Sequence, residues 1–190
     1  MMYTLGDEET TQDPASPGPV KSAEPLIRWF IKGREDHIHP DTNKVVPNAI
    51  SLGDLKENGL SIDRLNYATP ESVKNRIGQQ VENALKKVPD AQYFPQIAKF
   101  KCSDVRHLQD DAGERAFVVI DKLDPNNLEN VAHASIFSAL KRTPSELRGI
   151  RLKLIEFFNS RFSFEDMFPA VNTDAETTNS AVTSEAKECN

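Results

Sequence analysis

The apolar pattern of this chain lies between about residues 25 and 168, and it switches between two periods. Leu26–Ile31 is a short run of apolar, aromatic and β-branched residues and predicts a first strand, with Arg28 as its one charge. A loop follows, marked by Pro40, Asp41, Asn43 and Pro47. Asn48–Leu52 reads as a second strand. Asn58-Gly59 signals a turn, and Leu60–Leu65 then alternates as a third strand. Leu60, Ile62 and Arg64 fall on one face of it, Ser61, Asp63 and Leu65 on the other. The second and third strands are expected to form an irregular hairpin.

Thr69-Pro70-Glu71 is a helix start: a cap, a residue suited to the first turn, and an acid at the positive end of the dipole. Val73, Ile77, Val81, Ala84, Leu85 and Val88 continue as one apolar stripe, which Pro89 ends. Ile97–Cys102 predicts a strand, with a turn or short helix at Ser103-Asp104. Ala116–Leu123 is the clearest strand and reads as central, buried on both faces. After a turn at Asp124–Asn127, Val131–Phe137 is the next strand. Thr143-Pro144-Ser145-Glu146 repeats the capping logic and opens a second amphipathic helix with Leu147, Ile150, Leu154, Ile155 and Phe158 buried. Ser163–Phe168 ends the domain. The element order predicts a single α+β domain over residues 25–168, with a mainly antiparallel or mixed sheet and two packed helices.

Composition separates the ends from the middle. The chain has 190 residues and a net charge of −6. Residues 1–24 are acidic and proline-rich and carry −4. Residues 169–190 are rich in Ser, Thr and acids and carry −3, which leaves +1 for the middle. Both ends lack apolar periodicity and read as disordered. A nearly neutral middle argues against a dedicated nucleic-acid binder but allows a local cationic patch. Two cysteines do not make a disulfide framework. The first residues lack the basic and apolar regions of a signal peptide, and no apolar run is long enough for a bilayer. The expected setting is the cytoplasm, with no membrane partner.

Candidate chemistry centres on His133, a titratable ring in the mostly small and apolar run Asn130–Phe137. Two readings stand: a core histidine bonded to a backbone carbonyl, or a catalytic or ligand-contacting group. His37 and His39, in Asp36-His37-Ile38-His39-Pro40-Asp41, have metal-ligand types and point the same way on extended backbone. Two imidazoles alone do not hold zinc. A third ligand would have to come from Asp41, Asp63 or His133, and no metal site is assigned. His133 and His37 as acid and base, with Arg64 or Arg28 holding a phosphate, would suffice for metal-independent RNA cleavage. Arg28 has a second reading as an edge-strand charge in water. Ser61 lacks the motifs of a serine nucleophile. Asp63 and Arg64 read as loop ties or ligand contacts. No glycine loop matches a phosphate cradle, and no cofactor is expected. Arg142, Arg148, Arg151, Lys153 and Arg161 form a cationic cluster, either a solvated helix face or a contact for nucleic acid or an acidic partner.

Three segments taken in order, His37–Ser51, Gly59–Asp63 and Asp124-Pro125 with Asn130–Ala134, resemble a scattered family of small bacterial proteins with no assigned activity. The resemblance spans about Leu26–Phe137 and departs at Val131, where proline is expected. It implies that His37, Ser61, Asp63 and His133 belong together. The first functional expectation is a bacterial cytosolic binding or accessory module with a protein partner, acting beside a larger effector in phage defence or a toxin–antitoxin pair. The second is a small metal-independent enzyme acting on RNA or a nucleotide, NAD included, through His133, His37 and Arg64.

Overall fold

Two threonines start the two long helices. In a computed structural model of the chain, which describes residues 9, 16–122 and 129–169, the Thr69 hydroxyl accepts from the Ser72 amide at 3.1 Å and Pro70 opens α1, Pro70–Leu85. Thr143 and Glu146 cap each other reciprocally at the start of α3, Pro144–Phe157. Between the helices and around them run six strands: β1 Pro25–Lys32, β2 Leu60–Arg64, β3 Phe94–Lys101, β4 Phe117–Ile120, β5 His133–Ser138 and β6 Arg161–Phe162. Two short helices, α2 Cys102–Arg106 and α4 Phe164–Met167, complete the labelled elements. The strands form one antiparallel sheet in the order β4-β5-β2-β1-β3-β6. This is the expected single α+β domain.

Alternation along β1 feeds two cores. Leu26 and Phe30 join a large cluster with Leu60, Ile62, Phe117, Leu154 and Phe158, which buries α3. Ile27 joins Val73, Ile77 and Ile97 in a smaller cluster, which buries α1. A strand that sends alternate side chains into two cores is the period of two expressed in three dimensions. Val88 lies beyond the end of α1 and is 53% exposed, so the predicted stripe stops short of it. Among the described residues, no helix is long and apolar enough to cross a membrane.

Three expectations are corrected. Asn48–Leu52 is not a strand: Pro47–Ala49 forms a 3₁₀ turn, Ile50 buries completely, and Asp54–Asn58 makes a π-type turn. Pro47 suits the start of a helical turn, and β2 instead pairs with β1 and β5. Gly59 closes the π turn at φ 88°; a Cβ there would stand 2.6 Å from Ser135 and Phe137. Cys102 opens α2 rather than ending β3. β4 is an edge strand, not a central one. Phe117 and Val119 belong to the large core cluster, and the Val119 amide donates to Glu9, which also receives Arg106 and Arg115.

That contact extends the domain. Glu9 is fully buried, as is Val20, and Glu24 is 5% exposed. Residues 16–24, read as tail from composition, therefore pack on the sheet. Residues 1–8 and 10–15, the turn residues Asp124–Asn127 and positions 170–190 lie outside the described residues.

Candidate functional site

β1 is laddered to β3 along all eight of its residues, but to β2 only at Leu26 and Ile27. Beyond that point side chains occupy the gap. Arg28 Nη1 donates to the Ser61 carbonyl oxygen. The Ile31 amide donates to His37 Nδ1 at 3.1 Å. Gly33, at φ 98°, turns the chain out of β1, and the following residues fold His37 back onto the strand. The opening is bordered by the polar side of α1 and forms a cleft of about 410 Å³. Its lining includes Arg28, Trp29, Arg34, His37, Arg76 and His133.

Asp63 sits directly across from His133 on the neighbouring strand and is 1% exposed. It accepts from Arg76 Nη2 at 2.6 Å and from Asn130 Nδ2 at 3.3 Å. Arg76 also lies over the Trp29 ring, 5.5 Å from its centroid. His133 Nδ1 meets the Lys122 carbonyl oxygen. A carbonyl only accepts, so this nitrogen carries a proton. His37 differs, because its Nδ1 accepts from an amide and its proton sits on Nε2. Burial, with Arg34 nearby, pushes its pKa down to about 4, so the ring is neutral at pH 7.

The cleft is cationic. Arg28, Arg34 and Arg76 face one carboxylate, Asp63. Arg34 is held by Asp36 through two bonds of 3.0 and 2.6 Å. Among the described residues, Arg28 and Arg76 each make one hydrogen bond, although a guanidinium carries five donors. Burial drives the Arg28 pKa down to about 10 against the pull of Asp54 and Asp63, which still leaves it charged at pH 7. A desolvated cation with unused donors is an unfavourable state that a bound anion would relieve.

The structure brings His37, Ser61, Asp63, His133 and Arg28 to one cleft. Arg64 does not belong to it. Alternation turns Arg64 to the other face, where Glu24 takes two of its nitrogens at 2.8 and 3.0 Å, Gly18 accepts at 2.8 Å and Asp121 lies at 3.2 Å. His39 is also elsewhere, its Nδ1 accepting from the Asp41 and Thr42 amides. No three His, Cys, Asp or Glu among the described residues are placed to hold a metal ion. The late cationic cluster is largely spent on ties: Arg142 to Asp110, Arg151 to the Ile50 carbonyl, Lys153 to Asp111 and Arg161 to Gln96.

The sequence reading missed Arg76. A signal was present: Arg76, Gln79, Gln80 and Asn83 repeat at helical spacing beside the apolar stripe of α1. Such a polar stripe is ordinarily read as solvated. It faces a cleft here because β1 and β2 diverge beneath it. Comparison with protein-family models, with curated proteins and with solved structures finds no match to this chain.

Proposed function

We propose that this chain is a binding module whose β1–β2 cleft takes a small phosphate-bearing anion. The observation that carries the reading is the state of Arg28 and Arg76: both line the cleft, both are largely desolvated, and each has one hydrogen bond made among the described residues. Phosphate oxygens are matched acceptors for such forks. His37 supports the reading as a neutral Nε2–H donor, and Asn130 and the α1 amides add uncharged contacts.

The acid–base alternative has less behind it. His37 has one nitrogen engaged and is held neutral down to about pH 4, so it is a poor proton donor at pH 7. Arg64 is tied off on the other face. The module reading needs only the contacts already in place.

Titration calorimetry with inorganic pyrophosphate at low salt tests it. Binding to the intact chain is expected with a Kd below about 1 mM. The double variant Arg28→Lys, Arg76→Lys keeps both charges but loses the forks, and it should bind about tenfold more weakly or worse. No heat and no shift in melting temperature with the intact chain would overturn the reading.

A further inference from the structure

We infer that the ligand is a nucleoside monophosphate, its phosphate in the cationic cleft and its base in a second chamber alongside. The inference rests on the phosphate reading above and adds what lies next to it. A second hollow of about 500 Å³ shares Arg34, Gln80 and Asn83 with the first, so the two adjoin beside α1.

The halves differ in charge. In the first, Asp63 pairs with Arg76 and Asp36 with Arg34, which leaves Arg28 as the excess cation. In the second, Arg34 and Lys87 are balanced by Glu35 and Asp36. A phosphate is therefore favoured in the first and gains little in the second, where Glu35 repels it. This sets the direction in which a ligand with one anionic end lies.

The second chamber also differs in its walls. Tyr93 is partly buried there, with Ala84, Ala91 and the exposed Val88 beside it. Gly33 makes the Tyr93 position possible: a Cβ at Gly33 would lie 3.2 Å from that ring and 2.1 Å from the Gln92 carbonyl oxygen. An aromatic face with small apolar neighbours suits a flat ring. Gln80 and Asn83, at the junction, carry amide donors and acceptors. The Glu35 carboxylate, which has no hydrogen-bond partner among the described residues, can accept from sugar hydroxyls or a base amino group. A flat, hydrogen-bonding, uncharged group joined through a sugar to a phosphate satisfies all of these together.

The test is a calorimetric series on the full chain with pyrophosphate, ribose 5-phosphate and the monophosphates of adenosine, guanosine, cytidine and uridine. At least one nucleotide is expected to bind about tenfold or more tighter than ribose 5-phosphate, the worth of one stacked base. Tyr93→Ala should bring that nucleotide's affinity down towards ribose 5-phosphate. If Tyr93→Ala fails to fold, Val88→Asp at its exposed position should do the same by placing a charge against the base. Nucleotides no tighter than ribose 5-phosphate would overturn this inference and leave the phosphate reading standing. Absence of binding by every phosphate compound, pyrophosphate included, would overturn both.

Discussion

Two sets of arginines make opposite use of the same side chain. Arg64 and Arg106 are 1% and 2% exposed, and every nitrogen of each has a partner. Arg64 also stacks on Tyr67 at 4.6 Å. Arg28 and Arg76 hold one hydrogen bond apiece among the described residues. The first pair is structure: its donors are consumed by Glu24, Asp121, Glu9 and backbone carbonyls. The second pair carries capacity the fold does not use. Burial and charge alone do not mark a binding arginine; the balance of donors against acceptors does.

The largest expected effect comes from removing the acceptors of the saturated pair. A chain shortened to begin at Glu24 loses Glu9, the Gly18 carbonyl and the Ser22 hydroxyl. It should be destabilised by about 5 kcal/mol or more, enough to unfold a marginal domain. Urea denaturation of the shortened chain beside the full one is the check. An unchanged midpoint would mean that Glu9 and residues 16–23 are not part of the domain.

Single substitutions sharpen the contrast. Arg64→Met strands Glu24 and Asp121 in the interior and should cost about 3–5 kcal/mol. Arg28→Met removes a desolvated charge with one partner and should cost less than about 1 kcal/mol, because the lost bond is offset by relief of burial. Equal losses in denaturation midpoints would erase the distinction between the two sets.

His37 makes the cleft sensitive to acid. Its folded pKa, about 4, lies below the ordinary 6.5, so the unfolded chain binds more protons between those values. Stability is then full above about pH 6.5 and falls as pH drops towards 4, by about 2–3 kcal/mol from this group. In His37→Asn the amide oxygen can still accept from Ile31, and the contribution should vanish from the stability–pH profile. A variant with the same slope as the parent would remove His37 from this role.

The smallest effect concerns the helix that carries Arg76. Thr69→Ala removes the α1 cap and should cost about 0.5–2 kcal/mol, with little change in pyrophosphate affinity, because Arg76 sits two turns further on. A large loss of affinity at this position would tie the site to the end of α1 instead.

What was legible in the sequence was mostly local. Thr69-Pro70 and Thr143-Pro144 announce helices because a cap and its amide lie within three residues of each other. The alternation of β1 and β2 was legible for the same reason. The place of β4 was not, since an apolar run reads alike in a central strand and in a covered edge. The Val119 amide here meets Glu9, 110 residues away in sequence. The site divides along the same line. Asp63 and His133 stood out as polar groups among apolar neighbours, and they do face each other. Arg64 looked as available as Arg28, because nothing near it in sequence shows that Glu24 and Asp121 close around it. Arg76 was hidden in an ordinary polar helix face, and only the divergence of β1 from β2 gives that face something to line.

The most direct test is to watch the arginine side chains themselves. In ¹H–¹⁵N spectra of the Nε–H groups, titration of the intact chain with pyrophosphate should move the signals of Arg28 and Arg76 and leave those of Arg64 and Arg106 in place. Shifts at Arg64 or Arg106 with Arg28 and Arg76 unmoved, or no shift at any of the four, would contradict the account.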